Sequence, residues 1–171
     1  DKQEQFRAEA EATANFIEKF SSDAFADKYA EGPTRIQFKN KDPRGWREFR
    51  KQLAEHSIRG SVLTMRGVQA RRPSLYDLEV QLRKLSLPTL ILTGDEDEPC
   101  LLPGVFMKRL IRSSALVTLP NAGHTINLES PDEFNHAVDQ FLTQVRSGRW
   151  PVRDTPTEAG GSILGIDDES A

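Results

Sequence analysis

The segment from residue 87 to residue 131 most constrains the fold of this chain. It reads L-P-T-L-I-L-T-G-D-E-D-E-P-C, then a short helical pattern, then A-L-V-T-L-P-N-A-G-H-T-I-N-L-E-S-P. Two apolar runs, at residues 89–93 and 115–119, are short, favour β-structure and end in loop-forming residues, so they predict buried parallel strands. A helix predicted over residues 103–111 would join them as a right-handed crossover. The segment therefore predicts an α/β fold.

An acid and a histidine follow these two predicted strands. Asp97 lies in the loop after the first strand, and His124 lies in the loop after the second, 27 positions downstream (124 − 97). In an open α/β sheet, ligands bind in the crevice beyond the carboxyl ends of the strands. We therefore expect the two side chains to meet there, with the acid holding a catalytic imidazole.

These loops resemble those of a known family. The sequence G-D-E-D from Gly94, after a strand that opens L-P-T-L-I-L, resembles the acid loop of α/β-hydrolases, and G-H-T-I-N-L-E-S-P from Gly123 resembles their histidine loop. The resemblance extends more loosely from about residue 84 to residue 145. It implies that Asp97 is the acid and His124 the base of a catalytic triad. We expect Glu129 to anchor the histidine loop by accepting backbone N–H bonds.

The nucleophile of such a triad is missing from the chain. The family's triad runs Ser, Asp/Glu, His along the sequence, with the serine in a G-x-S-x-G turn, and no such turn occurs in the 171 residues. Cys100 follows a pattern typical of a small packed residue. Ser61 lacks the second glycine, and Ser162 has no strand before it. The resemblance therefore implies that the chain is the C-terminal part of a larger protein.

The resemblance predicts a partial α/β-hydrolase fold, and together with the polar composition of the C-terminal residues it divides the chain into three regions. Residues 1–83 form a helical cap-like region, residues 84–147 the last two parallel strands with their flanking helices, and residues 148–171 a disordered tail. In the first region, an amphipathic pattern predicts a helix through about Lys19 and a short helical segment over residues 23–30. Helix starts are predicted at Asp42-Pro43, at a capping box opening with Ser74, and at a second capping box opening with Ser130.

Composition limits the partners of the chain. The formal charge of −3 is too near balance to favour nucleic acid or an anionic membrane. A single cysteine excludes an internal disulfide framework, so we expect a cytoplasmic protein. No apolar run approaches a membrane span. We expect no cofactor and no metal, a small-molecule substrate, and self-association through an unpaired strand edge. Residues 44–72 carry an excess of bases, which predicts a solvated helix face or, alternatively, a basic wall favouring an acidic substrate.

Two functions from different classes follow. The first is the C-terminal part of a serine-type α/β-hydrolase that cleaves an ester, lactone or carbon–carbon bond of a small organic molecule; an aspartate nucleophile is a variant of this hypothesis. The second is a degenerate, non-catalytic hydrolase that binds a partner, because the 171 residues lack a nucleophile.

Overall fold

A computed structural model of the chain describes residues 2–153. It opens with two helices, α1 (Gln3–Lys19) and α2 (Ser22–Ala30), the first of which ends where its amphipathic pattern predicts. The apolar stripe of α1 buries Ala14 and Ile17 against Val62, and this contact forms the small core of the N-terminal region.

Four further helices and three irregular helical turns complete this region. The helices are α3 (Ile36–Lys41), α4 (Pro43–Ala54), α5 (Ile58–Thr64) and α6 (Glu79–Arg83). The turns are 3₁₀-helical at Pro33–Arg35 and Leu75–Leu78 and π-helical at Met65–Gln69. The boundaries of the three predicted regions stay a prediction.

All three predicted helix starts are confirmed in position, at Pro43, Leu75 and Pro131, and two of them have the predicted side-chain caps. The Asp42 side chain accepts a hydrogen bond from the N–H of Gly45 at 2.9 Å, with Pro43 in the first turn of α4. Ser74 and Asp77 form the predicted capping box. Ser130 does not cap its helix, and its hydroxyl instead accepts a hydrogen bond from Lys41 Nζ at 3.1 Å. That bond links α3 to the C-terminal region.

Two parallel strands, β1 (Thr89–Gly94) and β2 (Ser114–Leu119), confirm the predicted α/β core. Helix α7 connects them and runs over Glu98–Leu110, five residues earlier than the predicted start at residue 103. Pro99 lies in its first turn, where a missing N–H costs little. Gly104 lies closest to the sheet, since a Cβ there would contact Leu116 at 3.5 Å.

The chain after β2 forms a short helix, α8 (Ile126–Glu129), and a long amphipathic helix, α9 (Pro131–Arg146). The tail predicted from residue 148 begins with packed residues. Trp150 lies edge-on to Phe141 and donates a hydrogen bond to the carbonyl of Ser113 at 2.6 Å. Packing therefore continues past the predicted boundary, and residues 154–171 lie outside the described residues.

Apolar surface remains uncovered around the sheet. Within residues 2–153, β1 pairs with β2 along one edge and has no strand on its other edge. Leu87, before β1, is 67% exposed, and Leu102, in α7, is 70% exposed. Among the helices of the described part of the chain, none combines the length and apolar character that a bilayer crossing requires.

We predict that the 171-residue chain self-associates and unfolds without a sharp transition, because a two-stranded sheet is marginally stable and an open strand edge recruits other strands. Analytical ultracentrifugation over a range of concentrations tests the association, and a thermal melt followed by circular dichroism tests the cooperativity. A monomer with a sharp two-state melt would contradict the prediction.

Candidate active site

The parallel register of the two strands brings the acid loop and the histidine loop together. Thr89 is paired with Ser114 at one end and Gly94 with Leu119 at the other, so both strands finish at the same level. The loop after β1 carries Asp97, and the loop after β2 carries His124. Both loops therefore leave the same edge of the sheet, where ligands bind in folds of this class.

Backbone contact holds the two loops in register. A Cβ atom on Gly94 would overlap the carbonyl oxygens of Ala122 and Gly123, so only glycine fits at this position. The N–H of Glu96 donates a hydrogen bond to the carbonyl of Ala122 at 3.0 Å, and the N–H of Ala122 donates one to Asp95 Oδ1 at 3.1 Å. The acid loop is therefore bound directly to the segment that leads into His124.

Asp97 and His124 form a hydrogen-bonded pair, with Oδ2 of the acid 2.9 Å from Nδ1 of the imidazole. Asp97 is 6% exposed, whereas the side chain of His124 is 42% exposed. Its Nε2 has no hydrogen-bond partner among residues 2–153. The pair thus has a buried acid on one side of the ring and an accessible nitrogen on the other. A general base that is oriented by an acid has this arrangement.

Glu129 anchors the histidine loop as its position in the sequence predicts. Its carboxylate is 6% exposed and accepts hydrogen bonds from the N–H groups of Gly123 and Thr125, the latter at 2.9 Å. The Thr125 hydroxyl donates a third hydrogen bond at 2.7 Å. The residues on both sides of His124 are therefore fixed by one buried carboxylate.

Cys100 faces the nitrogen of His124 that the acid already holds. Its Sγ lies 3.9 Å from Nδ1, whereas a nucleophile must present its proton to Nε2. Burial first, and then the neighbouring carboxylate of Asp97, raises the pKa of the Cys100 thiol to about 11. A protonated thiol on this side of the ring is a poor nucleophile.

Three residues near the pair carry interactions that the sequence patterns do not reveal. Hydrogen bonds from the backbone at Asn121 and Ala122, with a smaller contribution from the charge of Lys41, lower the pKa of Asp95. Gln37, on α3, donates a hydrogen bond to the Glu96 carboxylate. Helix α3 therefore contacts the acid loop, and no local signal in the sequence of residues 36–41 predicts that contact.

Two of the eight bases in residues 44–72 pair with acids of the first two helices. Arg50 pairs with Asp23 and Asp27, and Arg66 pairs with Glu11 and Glu18. These arginines hold α4 and the π-helical turn against α1 and α2. At Arg50 and Arg66 the contacts favour the interpretation of a helix face with ion pairs over that of a basic wall.

No family model matches the chain, but three curated relatives align with it. The putative 2-succinyl-6-hydroxy-2,4-cyclohexadiene-1-carboxylate synthase of Bacillus subtilis (strain 168) is 30% identical over 74 residues, which are 43% of this chain and 26% of that protein. Proline iminopeptidase of Saccharolobus solfataricus is 32% identical over 42% of this chain and 23% of its own length. The 3-oxoadipate enol-lactonase 2 of Acinetobacter baylyi is 38% identical over 39% of this chain and 25% of its own length.

Two solved structures are similar over most of the described fold. MenH from S. aureus covers 84% of this chain with a TM-score of 0.78 and 24% identity. A thermophilic esterase from Thermogutta terrifontis with malate bound covers 82% with a TM-score of 0.67 and 23% identity. The matched parts are 53% and 51% of those chains, so this chain spans about half the length of each.

We predict that Gly94→Ala destabilises the site by about 3 kcal/mol or more, because the added methyl group displaces the backbone of the histidine loop. Amide hydrogen exchange at residues 119–125 measures the loss of protection. Gly67→Ala is the matched control, since a Cβ at this helical position has nothing within 4 Å. Equal protection in the two variants would contradict the proposed role of the close contact.

We predict that Glu129→Gln costs about 1–3 kcal/mol, because one of the two acceptor oxygens becomes an NH₂ group that faces a backbone N–H of the histidine loop. The amides of Gly123 and Thr125 should exchange faster in this variant. Glu133→Gln, on the exposed face of α9, serves as the control. Unchanged exchange in Glu129→Gln would show that the carboxylate does not hold the loop.

Proposed function

We propose that the chain is the C-terminal part of an α/β-hydrolase, as the relatives and the fold support, and that Asp97 and His124 are the acid and the general base of its catalytic triad. In this role, Nε2 of His124 takes the proton of a nucleophile and later returns it to the leaving group. Asp97 holds the ring by accepting the Nδ1 hydrogen bond and stabilises the imidazolium that forms. The chain supplies both groups, and the nucleophile comes from outside the 171 residues.

The observation that carries the proposal is the orientation of the imidazole. The 2.9 Å contact uses Nδ1, and the acid is buried while the ring is partly exposed. A histidine that serves only packing would have little reason to leave Nε2 accessible. A buried carboxylate holding the ring by Nδ1 favours the tautomer whose Nε2 is free to accept a proton.

The nucleophile is best sought upstream of this chain. Within residues 2–153, Cys100 faces the wrong ring nitrogen and Ser61 lies in helix α5. The order of the family's triad places the nucleophile before the acid. We propose a serine in a G-x-S-x-G turn; an aspartate in the same turn would instead form an ester that water, activated by His124, hydrolyses.

The substrate class we propose is a small organic molecule with an ester, lactone or cleavable carbon–carbon bond. An enol-lactonase, an esterase and a carboxylate synthase are among the similar proteins. Helices α1–α6 correspond to the predicted cap-like region, and we propose that they cover the substrate.

A non-catalytic binding protein is the second candidate. The observation that favours it is that the 171 residues contain no G-x-S-x-G turn. The oxyanion donor that would follow such a serine is therefore absent from them too. The two candidates differ in whether loss of His124 changes a chemical rate.

We predict that His124→Ala abolishes the ester hydrolysis of the protein that contains this chain together with its upstream sequence, assayed with p-nitrophenyl acetate. Asp97→Asn should lower the turnover by roughly 10⁴-fold while leaving KM little changed, because the wrong tautomer is then held. His136→Ala is the control, since that histidine is exposed on α9.

The 171-residue chain assayed alone should show no hydrolysis. Activity of the longer protein that survives in His124→Ala would refute the triad assignment. If the longer protein is folded but hydrolyses none of the esters, lactones and diketones tested, the result would favour the hypothesis of a non-catalytic binding protein.

A further inference from the structure

Three side chains with metal-binding chemistry meet at the acid–histidine pair. The donor atoms of Asp97, Cys100 and His124 all lie within 4.8 Å of one another. Asp97 and Cys100 are three positions apart at the start of α7, where the N–H of Cys100 donates a hydrogen bond to the carbonyl of Asp97 at 2.8 Å. His124 reaches them from the other loop, so the cluster exists only in the folded chain.

We propose that Asp97, Cys100 and His124 form a binding site for a divalent cation of the zinc class. Sulfur, imidazole nitrogen and carboxylate oxygen are the ligand types that zinc takes in proteins. Magnesium and calcium prefer oxygen ligands alone, so the thiol selects against both.

The distances between the donors suit tetrahedral coordination. Zinc bond lengths of about 2.0–2.3 Å place neighbouring ligand atoms roughly 3.4–3.6 Å apart. Sγ of Cys100 lies 3.9 Å from Nδ1 of His124, and Oδ2 of Asp97 lies 2.9 Å from the same nitrogen. Both separations are within about half an ångström of the tetrahedral value, and the third, between Sγ of Cys100 and the Asp97 carboxylate, is at most 4.8 Å. Small side-chain rotations would therefore admit the ion.

A buried oxygen provides independent support for a ligand at this position. Asp97 is only 6% exposed. Its Oδ1 is inaccessible to solvent and has no hydrogen-bond partner within residues 2–153. An unpaired buried carboxylate oxygen is costly, and a bound cation would compensate its charge.

Metal binding at this site would inhibit the hydrolase, a consequence that rests on the proposed function. The ion replaces the thiol proton of Cys100, which passes to solvent, and takes the lone pair of Nδ1. The imidazole proton then lies on Nε2, the nitrogen that must accept a proton from the nucleophile. The ion would therefore block the base without touching the nucleophile.

Cobalt(II) titration of the protein that contains this chain together with its upstream sequence tests the site, because a Co(II)–thiolate bond gives a charge-transfer absorption and four-coordinate Co(II) gives intense visible bands. We expect both absorptions in the wild-type protein and their loss in Cys100→Ser and in His124→Gln. His136→Gln should retain them. Competition by Zn²⁺ gives the zinc affinity, which should fall at least about tenfold in Asp97→Asn. Circular dichroism of each variant verifies that its helices are intact.

Absence of the charge-transfer absorption in the wild-type protein would overturn the proposal. Its persistence in His124→Gln would also overturn it, because the cysteine would then be binding alone. The titration requires no nucleophile and no substrate, so its failure is distinguishable from failure of the triad assignment. Zinc binding by a longer protein that shows no hydrolysis would support the site and refute only its inhibitory role.

Discussion

The close approach of Gly94 to the backbone of residues 122–123 fixes the geometry of the whole site. Strand β1 ends at this glycine, and the histidine loop passes so near its Cα that no side chain can be accommodated. Parallel pairing alone would place two loops at the same edge of the sheet without setting their separation. The backbone hydrogen bond from Glu96 to Ala122 sets it. The contact between Asp97 and His124 is therefore a consequence of main-chain packing, and the two side chains complete it.

One side of the His124 imidazole is buried against Asp97 and the other is exposed. This difference leaves only the exposed nitrogen available to accept a proton. The carboxylate of Asp97 lies in a region of low dielectric, where its interaction with Nδ1 is stronger than it would be in water. The opposite nitrogen of His124 remains accessible. Glu129 prevents the ring from leaving this arrangement, since it holds the amide groups of Gly123 and Thr125. The same buried side of the ring also faces Cys100, so the features that orient a base also assemble a set of metal ligands.

The sequence predicted the parts of the structure that depend on local pattern. The two strands, the start of α4 at Asp42 and the anchoring role of Glu129 all follow from residue types at short spacing. Helix α7 was predicted to begin at Pro103, but it begins five residues earlier, with Pro99 in its first turn and Pro103 inside the helix. The approach of Cys100 to His124 depends on the separation of two loops, which no local pattern encodes. The spacing D-x-x-C at a helix start was the available signal, and it predicts that the acid and the thiol share one turn.

The central claim is that Asp97 holds His124 by Nδ1 and leaves Nε2 free to accept a proton. Nuclear magnetic resonance of the ¹⁵N-labelled imidazole measures this directly, with His124→Gln identifying the signal. The account predicts the tautomer protonated at Nδ1, with a strongly downfield proton that disappears in Asp97→Asn. A His124 ring that is protonated at Nε2, with no downfield Nδ1 proton at neutral pH, would contradict the account.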